Sequence, residues 1–86
     1  MLVTAAIDGL KAIKSNIEKD TQIKGAFLDS RLVRAGSLFF AAKGGKSDGN
    51  DYVQNALDRG AAAVIMDNAE KYEKVKGNKI LVKDTL

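Results

Sequence analysis

A chain of 86 residues has room for one small domain and not for two. With neither Cys nor His, it excludes disulfides, zinc sites of the Cys/His type, and Ser–His or Cys–His nucleophilic pairs. The net charge of +3 and pI near 9.3 suit an anionic ligand. However, Lys71, Lys74, Lys76 and Lys79 are interleaved with Glu70 and Glu73, a solvated surface rather than a phosphate-tracking stripe, so no nucleic-acid partner is expected.

Val3, Ala6, Ile7, Leu10 and Ile13 recur at helical spacing and predict an amphipathic helix over residues 2 to about 14. Gly9 weakens that helix by about 1 kcal/mol relative to alanine. A polar connection over 15–21 leads into an expected strand over 23–28, then Asp29-Ser30-Arg31, then a turn over 33–36. Leu38-Phe39-Phe40-Ala41-Ala42 is a continuous apolar run, as in a strand buried on both faces. Residues 43–49 are polar, carry Gly44, Gly45 and Gly49, and predict a loop.

From Asn50 to Arg59 the apolar residues Tyr52, Val53, Ala56 and Leu57 fit one helical face. Asp51 near its start and Arg59 near its end suit the macrodipole, and Gly60 is placed to close it. Further strands are expected over 61–66 and, after the charged segment 67–79, over 80–82. Strand, loop, helix, glycine and strand make a βαβ unit, for which a right-handed crossover is expected. The predicted fold class is therefore α/β, a small mostly parallel or mixed sheet with a βαβ unit and two helices. No run approaches the about 18 apolar residues of a membrane span, and no charged-then-apolar signal segment opens the chain. Neither membrane insertion nor export is expected, and the expected location is the cytoplasm.

Parallel α/β sheets bind ligands beyond the carboxyl ends of their strands. Two segments stand at such ends: Asp29-Ser30-Arg31, and the loop over 43–49. Gly45-Lys46-Ser47 matches the end of a G-x-x-x-x-G-K-S phosphate loop, but the pattern requires glycine at position 40, which is Phe40. An ATP-binding loop is thereby rejected. In a looser reading, the loop glycines let backbone N–H groups approach an anion at a helix N-terminus, with Lys46 adding charge. The competing reading is a flexible connection in which Ser47, Asp48 or Asn50 caps the helix. Likewise Asp29 is expected to cap the following turn and Arg31 to pair with it or with another carboxylate. Ser30 has equal claims to structure and to a ligand.

The ordered series Ile23-x-Gly-x-x-x-Asp-Ser-Arg, Val33-x-x-Gly-x-Leu-Phe-x-Ala with Gly44, then Asp48-Gly49, Ala56 and Gly60-Ala61 resembles the N-terminal domain of Mur ligases, the enzymes of peptidoglycan precursor synthesis. Residues 23–66 carry the likeness, and 80–85 resemble the strand and helix start that close that domain. The resemblance implies that residues 1–86 form a single N-terminal domain of a longer three-domain ligase. Such a domain holds the UDP part of a UDP-N-acetylmuramoyl-peptide and is not catalytic alone. Carried over by position, contacts to UDP fall on Leu28, Ser30, Gly45, Lys46 and Ser47. ATP and Mg are implied for the other two domains, with no cofactor, metal site or catalytic residue in this segment.

Two departures from the family pattern are Ala35, where proline is frequent, and Asn50, where histidine is frequent. The stretch over 25–31 looks most like the ligase adding the third peptide residue to UDP-N-acetylmuramoyl-alanyl-glutamate. The alternative is the ligase adding the D-alanyl-D-alanine dipeptide, which Val82-Lys83-Asp84-Thr85 also suits. Outside the family, the other readings are a free-standing nucleotide- or nucleic-acid-binding module and a partner-binding domain. Only five aromatic residues are available as stacking platforms for the former.

Overall fold

The apolar runs of the sequence become the centre of a five-stranded sheet in the computed structural model, which describes residues 12–17, 21–41 and 49–83. The strands are β1 (Ala12–Ser15), β2 (Ala26–Phe27), β3 (Leu38–Phe40), β4 (Ala63–Met66) and β5 (Lys79–Val82), in the spatial order β1-β5-β4-β3-β2. The pairs β2–β3, β3–β4 and β4–β5 are parallel, and β1 adds antiparallel to β5, so the sheet is mixed.

Side chains alternate across this sheet with the period of two that extended backbone imposes. Phe39, Val64, Met66 and Leu81 enter one buried cluster. Leu38, Ala63, Ile65, Ile80 and Val82 enter another. The registers Phe39↔Val64 and Ile65↔Ile80 keep each set in line from strand to strand. Two helices contribute to the first cluster. Helix α1 (Val53–Asp58) buries Val53 and Ala56, and α2 (Ala69–Lys74) buries Tyr72.

The end of α1 shows why glycine stands at position 60. Gly60 N–H donates to Leu57 O and Ala61 N–H to Ala56 O, the paired bonds of a Schellman cap. Gly60 adopts φ +102, and a Cβ there would lie 3.2 Å from the Cα of Ala35. The same glycine accepts the Gly36 N–H at 2.9 Å, so one residue both ends the helix and holds the β2–β3 connection.

Three expectations need correction. Residues 12–14 belong to β1, not to a helix, and Ile13 is 60% exposed rather than on a buried face. The outer edge of β5 offers a row of backbone groups, and Ala12, Lys14 and Ser15 pair with Val82, Leu81 and Ile80. Asn16 prolongs that pairing, accepting the Lys79 N–H and donating to Gly77 O, both at 2.9 Å. Long-range pairing thus overrides local helical spacing, while the rest of the expected helix, residues 2–11, lies outside the described residues.

A helix that the sequence reading does not expect is α2, inside the segment read only as charged. Its signal is the Asn68 cap, whose side chain accepts the Lys71 N–H at 3.0 Å. Finally, the expected strand over 23–28 contracts to Ala26–Phe27, and Leu28 turns out of it.

Gly60→Ala is expected to cost about 1–3 kcal/mol, because an L side chain is strained at that φ and crowds Ala35. Gly25→Ala is the control, since its Cβ would meet only the Phe27 ring at an ordinary 3.6 Å. Urea melts of the two variants against the parent chain measure the difference, and equal midpoints would contradict the cap assignment.

Candidate functional site

The carboxyl ends of β2, β3 and β4 stand side by side on one rim of the sheet, because the three strands are parallel and in register. The segments leaving these strands therefore gather at that rim. After β2 come Leu28 and Asp29, then a single 3-10 turn, Ser30–Leu32. After β3 comes Ala41, whose N–H donates to Ile65 O at 2.8 Å, and after β4 comes Asp67.

Asp29 organises the first of these segments. Its Oδ1 accepts the Arg31 backbone N–H at 2.9 Å and Arg31 Nε at 3.1 Å, while Oδ2 accepts Arg31 Nη2 at 2.8 Å. Both structural roles expected of this pair are thus present, a cap and an ion pair. The hydrogen bonds from the Arg31 side chain and then from its backbone hold the Asp29 carboxyl down to about 2. The two charges are thus paired with each other at the surface.

Ser30 and Leu28 are different. Ser30 is buried at 9% exposure, and its hydroxyl makes no hydrogen bond among the described residues. Leu28 is 70% exposed, an apolar side chain that contributes little to either core cluster. The other three expected contacts, Gly45, Lys46 and Ser47, lie in 42–48, outside the described residues.

The residues flanking that segment are well anchored. Gly49–Tyr52 forms a 3-10 turn ahead of α1. Asn50 within it is 3% exposed, donates from Nδ2 to Asp67 Oδ1 at 2.8 Å, and accepts the Asp67 N–H on Oδ1 at 3.2 Å. This two-way bridge ties the start of the helix to the end of β4. Lys71 of α2 reaches the neighbouring Asp51 at 2.7 Å. Asn50 is not the cap it was expected to supply as one of three candidates, since the N-cap of α1 is Tyr52, with no side-chain cap bond. Sequence reasoning misses the bridge because it looks to the ends of β2 and β3, whereas Asp67 directly follows the apolar run of β4. Among the described residues, no group of three or more acidic side chains could hold a metal ion, and no helix is long and apolar enough to cross a membrane.

The model of the Mur ligase family, catalytic domain, matches residues 22–85. The chain belongs to the Mur ligase family. Among curated proteins it is 34% identical to the UDP-N-acetylmuramoyl-L-alanyl-D-glutamate–2,6-diaminopimelate ligase of Bacteroides thetaiotaomicron over 86 residues, 99% of this chain and 18% of that protein. It is 44% identical to the ligase of the same name from Geobacter sulfurreducens over 57 residues, 66% of this chain and 11% of that one. Among solved structures, MurF from Acinetobacter baumannii superposes with a TM-score of 0.64 at 27% identity, covering 73% of this chain and 13% of that one. The MurF ligase of Thermotoga maritima in complex with ADP gives 0.62 at 33% identity, covering 76% and 14%. The chain thus spans less than a fifth of the length of these relatives. Family membership agrees with the resemblance drawn from the motif series, and the mixed α/β sheet agrees with the expected fold class.

The Asp29–Arg31 pair makes a pH prediction whose sign is fixed. The Asp29 value is depressed in the folded chain, so the pair stabilises above the ordinary carboxylate value of about 3.9. That contribution is lost as pH falls through about 2. An NMR titration of the Asp29 carboxyl carbon is expected to give a midpoint near 2 in the parent, moving up toward the ordinary value in Arg31→Ala. An unchanged midpoint in the variant would assign the depression to something other than Arg31.

Proposed function

We propose that this chain is the substrate-holding domain of an ATP-dependent peptidoglycan-precursor ligase, binding the UDP part of a UDP-N-acetylmuramoyl-peptide at the carboxyl rim of its sheet. The family match over 22–85 carries this reading. The geometry supports it, because Leu28 and Ser30 follow β2, next to the end of β3 from which residues 42–48 continue. Leu28 offers an apolar surface to a base, and the Ser30 hydroxyl can donate or accept without giving up a bond within the described residues. Gly45, Lys46 and Ser47 complete the proposed site, with backbone N–H groups and one cation for the diphosphate.

The complete ligase joins an amino acid to the peptide end of this precursor. A phosphoryl group passes from ATP to the peptide carboxylate, giving an acyl phosphate and ADP. The amine of the incoming residue attacks the acyl carbon and phosphate leaves. Those steps belong to the central and C-terminal domains, which are also proposed to hold ATP and Mg. This domain's part is positional, since tethering the nucleotide end of a long substrate fixes where its distant carboxylate lies. A cytoplasmic location follows from the use of ATP and a UDP-linked precursor.

The names of the curated relatives favour addition of the third residue, 2,6-diaminopimelate in their case. The second reading, addition of D-alanyl-D-alanine, has the MurF structures in its favour. Assay of the full-length ligase with each amine donor separates the two.

UDP is expected to bind the 86-residue chain weakly and to shift the amides of Leu28, Ser30 and residues 45–47. Ser30→Ala is expected to weaken binding by about 0.5–1.5 kcal/mol, one neutral hydrogen bond. Gly45→Val is expected to cost more, because its branched side chain blocks close approach of the backbone. Shifts confined to Lys71, Lys74, Lys76 and Lys79 would move the site elsewhere.

A second expectation is that the chain alone neither hydrolyses ATP nor binds it specifically, since Phe40 stands where a phosphate loop needs glycine. ATPase activity that disappears in Lys46→Ala would overturn this.

A further inference from the structure

Two cations share a cleft that has no carboxylate in its lining. The cleft encloses about 360 Å³ and is lined by Lys24, Phe27, Leu32, Arg34, Ala35 and Ser37, where residues 28–37 return from β2 to β3. Lys24 precedes β2, and Arg34 is fastened to Ser37, which precedes β3. The two cations therefore stand toward the amino-terminal rim of the sheet, whereas Leu28 and Ser30 follow β2 at the carboxyl rim.

Contacts of Gly36 and Ser37 shape the two sides of the cleft. Lys24 N–H donates to Gly36 O at 2.9 Å, and a Cβ added to Gly36, where φ is +84, would come within 3.1 Å of Lys24 Cδ. The absence of a side chain at position 36 thus leaves the room in which the lysine stem lies. Across the cleft, Ser37 Oγ donates to Arg34 O at 2.7 Å and accepts the Arg34 N–H at 3.2 Å, fixing the turn that carries the arginine. Phe27 packs partly on the core, and Leu32 is 59% exposed, so the wall between the cations is apolar and open.

Among the described residues some cations are paired, whereas Lys24 and Arg34, like Lys74, Lys76 and Lys83, are not. Lys14 pairs with Glu73, Arg31 with Asp29 and Lys71 with Asp51. No ion pair or hydrogen bond of the Lys24 or Arg34 side chain is present among the described residues. An anion held in the cleft would have both side chains as counter-charges.

We propose that this cleft is a second ligand site, adjoining the proposed uridine site through the Ser30–Leu32 turn but lined by different side chains, for a phosphate monoester carried on a small aromatic or apolar body. A phosphate monoester brings a charge of about −1.5 to −2 near neutrality, which matches two cations. Arg34 can bind its oxygens through two parallel N–H groups while Lys24 supplies a point charge. The organic body lies on Phe27 and Leu32. The volume is in the range of about 300–1,000 Å³ common for small-ligand clefts. This inference stands whether or not uridine binds at the other rim.

The test is an amide-shift titration of the 86-residue chain with phenyl phosphate, inorganic phosphate, benzoate and UDP in turn. Phenyl phosphate is expected to give saturable shifts at Lys24, Phe27, Leu32, Arg34 and Ala35, and to bind more tightly than inorganic phosphate or benzoate. Lys24→Gln with Arg34→Gln is expected to weaken it about tenfold or more while the spectrum stays dispersed and any UDP response at Leu28 and Ser30 persists. Leu32→Ala is expected to weaken phenyl phosphate but not inorganic phosphate. Equal binding of inorganic and phenyl phosphate would reduce the cleft to a non-specific anion patch and overturn the proposal. So would an unchanged affinity in the double variant, or UDP displacing phenyl phosphate from the same amides.

Discussion

Strand β4 has no exposed face, and the rest of the domain is arranged around that constraint. Val64 and Met66 point into one cluster and Ala63 and Ile65 into the other, all four essentially inaccessible to water. A strand so placed must have a ladder on each side, because a buried backbone polar group without a partner costs roughly what a lost hydrogen bond does. The partners are β3 and β5, both parallel to it. Parallel pairing in turn requires crossovers, which are α1 between β3 and β4 and α2 between β4 and β5. Crossovers of this kind return every strand in the same direction. The ends of β2, β3 and β4 are consequently delivered to one rim, where ligand chemistry can be assembled from separate parts of the chain.

Much of this was legible in the sequence, for an identifiable reason. The runs Leu38-Phe39-Phe40 and Ala63-Val64-Ile65-Met66 are apolar without alternation, a pattern only two-sided burial explains, and both are strands. Gly60 marked the end of α1 because its φ is one that glycine adopts freely. What failed was the reading of segments whose fate is decided at long range. Ile13 has helical spacing from Leu10, yet its neighbours are claimed by the edge of β5, which no local window contains. Helix α2 escapes a periodicity reading because Tyr72 is the only residue it fully buries, so there is little to register.

The candidate site divides in the same way. Pairing of Asp29 with Arg31 was foreseeable, the two being separated by one residue in a turn. Leu28 was singled out by resemblance to a family alone, whereas Ser30 was marked first by its place after a strand end. The bridge between Asn50 and Asp67 spans seventeen positions and depends on β3 and β4 being neighbours, so nothing local announces it. With the Asp29 carboxylate engaged by Arg31, the part of the 28–31 segment left for recognition is neutral. In the proposed site, that arrangement would discriminate by shape and hydrogen bonding.

The two rims of the sheet differ in how their backbone is secured. At the amino-terminal rim a chain of bonds runs across four strands: Lys24 N–H to Gly36 O, Gly36 N–H to Gly60 O, Ala62 N–H to Ser37 O, and Val64 N–H to Asn78 O. Asn78 closes it with a side-chain bond to Ala62 O at 3.0 Å. Almost every connection is main chain to main chain, so it depends on side-chain identity chiefly at Gly36 and Gly60, whose φ values favour glycine. Between Ala41 and the Asn50 bridge, by contrast, the opposite rim carries a connection whose ends are fixed by bonds outside it. The two rims thus hold their connections in different ways, one along its length and the other at its ends. Substitutions inside residues 42–48 therefore need not disturb the bonds that fix the two ends of that connection.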